Sequence, residues 1–430
     1  MNSKYTYIVY YRTKVDSIFH CYNLKTKDFS EVNYETFNEL YFKNTGKYEA
    51  PKYVEASKEG LMNFGEQYIQ DAAELLKENG YLNIFFGFTN GLNLVNIFTQ
   101  TLEYYGKNYE WTKLKGNAIE AEESRFQNDC YNAGIVFVKI GTYNCFGYDF
   151  KMFYPTIMGS EDFMFPVCEG RSLHCKPSIL TKPLAAGNYR CLITSAHPLV
   201  GFVFAFSGDN TYNSYSLAFA IKYQAEFNFT ITLIEDGEPN AYIYEKAVMR
   251  TGKSLFGKWL EQGRMLRAKY PHNKYLKYIM SGLWGQLCYQ PRHYITGAEL
   301  KSGDYDDAVI VGEIGDFENP TYKVLNGYKY NCRIKSFLTA YARNKTAEIA
   351  MKNLAHVVRI HTDGIVYNAP LPKELYPADF IPEEKTTGAF EWLSKNTKKV
   401  VIIIIAKRVI NHKKKLNLRP KALAVVKSLY

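Results

Sequence analysis

Two aspartates, Asp149 and Asp363, each stand at the end of an apolar β-type run, and 214 positions separate them. Asp149 follows Phe146-Gly147-Tyr148 and leads into Phe150-Lys151-Met152-Phe153-Tyr154-Pro155. Asp363 sits in a tight turn between Val357-Val358-Arg359-Ile360 and Ile365-Val366. β-rich runs that stop at a turn residue put the acid where the backbone leaves a sheet. Only a fold that brings these two strands together can make one site of the pair. Taken singly, each aspartate reads as a solvated turn residue.

Between them lie two helical segments, Phe256–Lys269 and Asn273–Leu287, joined by Tyr270-Pro271-His272 into a hairpin. The second carries Lys277-Tyr278-Ile279-Met280-Ser281-Gly282-Leu283-Trp284-Gly285. Glycine inside a helix costs about 1 kcal/mol against alanine, so Gly282 and Gly285 suggest a steric reason, such as the close approach of a base pair. Lys277 can act as a point charge on phosphates. Arg264 and Arg267, on the preceding helix, can reach the same group.

The remaining chain is organised around these segments. Residues 1–125 read as an α/β unit, with β-rich runs at Tyr5–Tyr11 and Ser17–Tyr22, a helix over Gly60–Asn79, a strand at Leu82–Phe88, and a turn at Asn90-Gly91-Leu92-Asn93 before a helix Leu94–Tyr105. Residues 159–250 are strand-rich, and 288–331 read as an inserted β-rich loop. Arg333–Asn353 is an amphipathic helix feeding the hairpin around Asp363. Val400–Ala406 is too short to span a bilayer and reads as a buried strand. Met1–Tyr7 offers no apolar signal region, so no signal peptide and an intracellular location are expected.

Bulk composition excludes some classes. Hydrophobic residues make up 47% and aromatics 16% of 430 residues, a globular composition rather than a disordered one. The net charge of +10 suits a polyanionic partner without requiring one. The eight cysteines form no CxxC pair, and Cys168-His174-Cys175 fits no common zinc spacing.

Two carboxylates and a lysine are what two-metal phosphoryl transfer needs. The two ions lie about 3.5–4 Å apart, bridged by hard oxygen ligands. Asp149 and Asp363 are the candidate magnesium ligands, with manganese as a substitute. Tyr154, five residues after Asp149, can lie under the sugar of a nucleotide and exclude a 2′-hydroxyl.

Together the segments resemble the family B DNA polymerases of the protein-primed branch found in phages, linear plasmids and related viruses. Asp149 through Tyr154-Pro155 matches the DxxSLYP motif. Lys277 through Gly285 is similar to KxxxNSxYG, and His361-Thr362-Asp363-Gly364 to DTDS. Tyr131-Asn132-Ala133-Gly134 resembles the YxGG/A segment between the exonuclease and polymerase domains. The order holds over about residues 80–412.

The resemblance implies an α+β right-hand polymerase on an N-terminal RNase H-like remnant. It implies an exonuclease-like domain over 1–125, a palm over 126–255 and 332–370, fingers over 256–290, a second insertion over 291–331 and a thumb from 371. It also implies a DNA template and primer, dNTPs and a terminal protein as partners, and no membrane. Asp149 and Asp363 would be catalytic. Tyr154, Lys277, Arg264, Arg267 and Phe150 would bind the nucleotide. Tyr131, Gly134, Gly282, Gly285, Thr362, Lys398 and Lys399 would bind nucleic acid.

Departures carry expectations of their own. His361 replaces the first acid of DTDS, Met152 the serine of the first motif, and Ser281-Gly282 the Asn-Ser of the second. The KxY tyrosine of the thumb is missing near Lys398-Lys399. Tyr10, Arg12 and Asn90 occupy positions of exonuclease acids, so a domain without 3′–5′ exonuclease activity is expected. The alternative is a catalytically silent, polymerase-like protein that binds DNA or a partner.

Overall fold

The computed structural model describes residues 7–12, 18–23, 29–37, 39, 52–55, 119–130, 134–195, 209–269, 271–272, 274–290, 292–296, 309–314, 321–325, 328, 332–392 and 401–402. The chain forms two compact units. One comprises residues 1–133, 152–201 and 205–344, the other 134–151, 202–204 and 345–430.

The strands in chain order begin with β1 (Tyr7–Arg12), β2 (Ile18–Asn23), β3 (Phe29–Asn33), β4 (Lys52–Glu55), β5 (Val136–Val138), β6 (Gly141–Phe150) and β7 (Met164–Pro166). Then come β8 (Arg171–Leu173), β9 (Gly187–Ser195), β10 (Thr211–Asn213), β11 (Phe229–Leu233), β12 (Ala241–Ile243), β13 (Met249–Thr251) and β14 (Arg292–Thr296). The last are β15 (Val309–Ile314), β16 (Thr321–Leu325), β17 (Val357–His361), β18 (Gly364–Tyr367), β19 (Phe380–Pro382), β20 (Gly388–Trp392) and β21 (Val401–Ile402). The helices used below are α1 (Ala121–Asp129), α2 (Phe153–Met158), α3 (Ser214–Lys222), α4 (Gly252–Lys269), α5 (Lys274–Leu287) and α6 (Ile334–Met351).

The first unit opens with a sheet of order β3-β2-β1-β4. β1, β2 and β3 are antiparallel, while β4 runs parallel to β1. A parallel neighbour needs a crossover connection, so this sheet is mixed rather than a simple meander. Tyr10 and Arg12 lie on β1. The helices expected at Gly60–Asn79 and Leu94–Tyr105, the strand at Leu82–Phe88 and Asn90 lie outside the described residues.

Further along, β10-β9-β12-β8, with β11 on β9, make a second sheet, and β7 pairs with β13. α3 starts at an Asn213 cap whose side-chain oxygen accepts from the Tyr215 amide at 3.0 Å. The β-rich loop expected over 288–331 contains the antiparallel sheet β14-β16-β15. The helical hairpin is present as α4 and α5.

α1 buries a charge. Glu123 and Arg333, both 0% exposed, form a two-pronged ion pair with both contacts at 2.6 Å. The Tyr244 hydroxyl donates to Glu123 Oε1 at 2.8 Å, and the Gln127 amide donates to that hydroxyl at 2.8 Å. A buried carboxylate is tolerable because both of its oxygens are met by the guanidinium and one also by a hydroxyl.

The second unit is built on one antiparallel sheet of order β21-β20-β6-β18-β17-β5, with β19 also on β6. β6 is its centre. β18 runs along one edge, and β19 and β20 share the other. Cys145, Val358, Val366 and Phe390 form a buried cluster, with Val138 and Tyr143 packed against it. Tyr148 stacks on Phe380, ring centroids 5.6 Å apart, and its hydroxyl accepts from the Leu371 amide at 2.9 Å.

Within the stretch from residue 371 that was read as a thumb, β19 and β20 are strands of the sheet that carries both aspartates. Phe380 and Phe390 are 0% and 6% exposed, and burying them on β6 holds the segment there. Of the strand expected over Val400–Ala406, Val401–Ile402 is described and pairs with β20.

Candidate active site

The sheet register brings the two aspartates together. Gly364 pairs with Asp149 across β18 and β6, and the Phe150 amide donates to the Asp363 carbonyl at 3.1 Å. A Cβ placed on Gly364 would lie 3.4 Å from Asp149 Oδ1. Asp149 therefore reaches over the residue next to Asp363. Both are half-buried.

The turn carrying Asp363 is tight. His361 pairs with Gly364, leaving Thr362 and Asp363 as the two turn residues. Thr362 takes the left-handed conformation, φ 60°, which costs a non-glycine residue about 1–3 kcal/mol. Three contacts hold it. Its amide donates to the Ile135 carbonyl at 2.9 Å, and the Thr346 hydroxyl donates to its carbonyl at 3.0 Å. Gly134 packs so closely that a Cβ there would lie 2.7–2.8 Å from Thr362. Gly134 is thus needed for close approach to the turn. Tyr131 lies outside the described residues.

Met152, three residues after Asp149, is also left-handed at φ 52° and starts α2. A left-handed residue therefore comes one position before Asp363 and three positions after Asp149, and such residues cluster at functional sites. Phe150, expected beside a nucleotide, is 5% exposed, with its ring 4.7 Å from Phe380. Its ring belongs to the core, and its amide serves the turn.

The donor set fits magnesium. Asp149 and Asp363 offer anionic oxygens from adjacent positions, and magnesium is commonly held by one or two carboxylates plus waters and substrate phosphates. Among the described residues no group of three or more His, Cys, Asp or Glu could hold a metal ion. Cys168, His174 and Cys175 therefore make no such group. His361 is exposed at the end of β17.

The residues expected to meet a nucleotide lie in the first unit. Tyr154 is half-buried on α2, and its ring lies 4.9 Å from that of Trp284. Arg264 Nη2 donates to Thr156 Oγ1 at 3.2 Å, tying α4 to α2. Arg267 is half-buried, and Lys277 is exposed on α5. Gly282 is half-buried, and a Cβ on exposed Gly285 would meet nothing within 4 Å. Packing of the hairpin instead demands Gly263, where a Cβ would lie 2.1 Å from Met280 Sδ. Lys398 and Lys399 lie outside the described residues.

Three further groups were not singled out from the sequence. Trp284 packs on Tyr154, as above. Arg343 has its guanidinium pushed down to about 10 by burial, in the electrostatic field of Cys130, Tyr212 and Tyr154. Lys385 lies in the field of both aspartates. The aromatic run around Trp284 was a visible signal; Arg343 and Lys385 had none in composition or spacing.

The chain is α+β, and its fold is that of solved polymerase structures. Solved structures similar to it include those of phi29 DNA polymerase. With that enzyme in its ternary complex with primer-template DNA and incoming nucleotide, the TM-score is 0.52 at 12% identity, covering 86% of this chain and 81% of the other. With its complex with single-stranded DNA the TM-score is 0.53 at 13% identity, over the same shares. No protein-family model matches the chain, and no curated protein matches it. No helix among the described residues is long and apolar enough to cross a membrane.

Proposed function

We propose that this chain is a template-directed DNA polymerase working by two-metal nucleotidyl transfer, with Asp149 and Asp363 as the metal-bridging carboxylates. The observation that carries the reading is the pairing of Gly364 with Asp149, which joins acids 214 residues apart. Bound magnesium would activate the attacking hydroxyl and neutralise the leaving pyrophosphate. The chain's own part is positioning. The doubly paired strand β6 fixes Asp149, and the clamped turn at Thr362 fixes Asp363.

Lys277, Arg264 and Arg267 then serve the triphosphate, and Tyr154, backed by Trp284, serves as the sugar gate. The resemblance of the sequence motifs to those of the protein-primed family B polymerases supports a protein hydroxyl as primer, in replication of a viral or plasmid genome. Tyr10, Arg12 and Asn90, where acids would be needed, support the lack of 3′–5′ proofreading.

The test is primer extension on primed DNA with magnesium, comparing wild type with Asp363→Ala and Asp149→Asn. We expect extension with dNTPs and a loss of about 10³-fold in either variant. Extension that survives both substitutions refutes the site. Labelled dNMP transfer to a partner protein tests the priming, and digestion of a single-stranded 3′ end by the Asp149→Asn variant would refute the loss of proofreading.

A further inference from the structure

β19 and β20 share one edge of β6, and residues 383–387 cross between them. The crossing is tied down. The Glu383 amide donates to the Gly147 carbonyl at 2.7 Å, and the Gly147 amide donates to Thr387 Oγ1 at 3.1 Å. Gly147 cannot carry a side chain here, because a Cβ would fall 1.5 Å from Thr386 Oγ1. The register sets where this loop stands. Ile381 pairs with Asp149, the residue that Gly364 meets from the other edge.

At the loop's apex Lys385 extends its ammonium to Glu383 Oε1 at 2.5 Å. Its pKa is raised, first by that hydrogen bond and further by the charges of Glu383, Asp149 and Asp363. Arg359, whose pKa burial lowers, also lies in the field of Glu383. A bare acidic pair would repel itself, and a tethered lysine relieves that repulsion. The same positive charge opposes a divalent cation.

We propose that Lys385 is a built-in counter-ion of the Asp149–Asp363 pair, held at its station by Glu383, and that it sets the affinity of the pair for divalent metal. The proposal rests on the reading of this pair as a metal site. Lys385 is a positioning residue by this account. It keeps the empty carboxylates compact and makes metal occupancy weaker, so that loading depends on the phosphates of an incoming nucleotide.

Manganese binding to the full-length protein, without DNA or nucleotide, is measured by electron paramagnetic resonance, with far-ultraviolet circular dichroism as the check on folding. Lys385→Gln should bind manganese about five- to tenfold more tightly than wild type, as removal of one charge near a divalent ion in a high-dielectric setting implies. Lys385→Arg should restore wild-type affinity, and Lys373→Gln, an exposed lysine in the same unit, should leave it unchanged. If Asp149→Asn and Asp363→Asn abolish binding while Lys385→Gln binds as wild type does, the counter-ion role is refuted and the metal site stands. If the aspartate variants bind manganese as wild type does, or neither wild type nor Lys385→Gln binds it, the metal site itself fails and the inference with it.

Discussion

Replacing Arg333 with methionine should be among the most damaging single changes to this chain. The guanidinium is 0% exposed and meets both oxygens of Glu123 at 2.6 Å. Removing it leaves a carboxylate in the core with only the Tyr244 hydroxyl to serve it. Breaking one side of such a buried pair costs about 3–5 kcal/mol. Replacing both partners with groups of similar shape removes the stranded charge, and the double variant Glu123→Gln/Arg333→Met should recover most of that loss.

Urea unfolding followed by tryptophan fluorescence measures both. With a slope of about 3 kcal/mol per molar or more, Arg333→Met should lower the midpoint by roughly 1 M. The double variant should return at least half of this. A midpoint for Arg333→Met within about 0.2 M of wild type would show that the charge is solvated after all. Single losses that simply add in the double variant would refute the pairing as the source of the cost.

Two other outcomes follow from named contacts. Tyr154→Val should raise the use of rNTPs relative to dNTPs by about 10²-fold, the scale on which a shape-selective pocket rejects an added hydroxyl; unchanged discrimination in single-nucleotide extension would remove Tyr154 as the gate. Asp236 is held down at about 2, chiefly by the hydrogen bond from Arg190 and then by the Glu238 amide. Its folded pKa lies below the ordinary value of 3.8, so its contribution to stability is present above that value and lost as the pH falls toward 2. Carboxyl NMR titration should show the Asp236 midpoint move upward in Arg190→Gln, and an unmoved midpoint would refute the attribution.

The helical hairpin and the strands flanking Asp363 were readable within a residue or a few, because local period and turn chemistry decide them. The strands begin and end at Val357–His361 and Gly364–Tyr367, close to the runs expected. Tyr154 on a helix was not readable, since Met152 enters a left-handed conformation that a methionine does not advertise. The packing of Phe150 on Phe380, a partner 230 residues away, was not readable either. The same long-range pairing hid Lys385. Where β19 and β20 land on β6 is a matter of register, and register is settled by burial across the sheet rather than by neighbours in the chain.

The composition of the central sheet also fixes when this site can exist. β6 is complete at residue 150, but its partner β18 begins at residue 364. Ribosomes add about 5–20 residues per second, so Asp149 waits roughly 10–40 s for its partner during synthesis. For that interval β6 has neither β18 nor β19 nor β20 beside it, and an apolar strand with open edges invites foreign pairing. The chain thus depends on what shelters one strand during its own birth, and a fragment ending before residue 363 would carry half of the acidic pair.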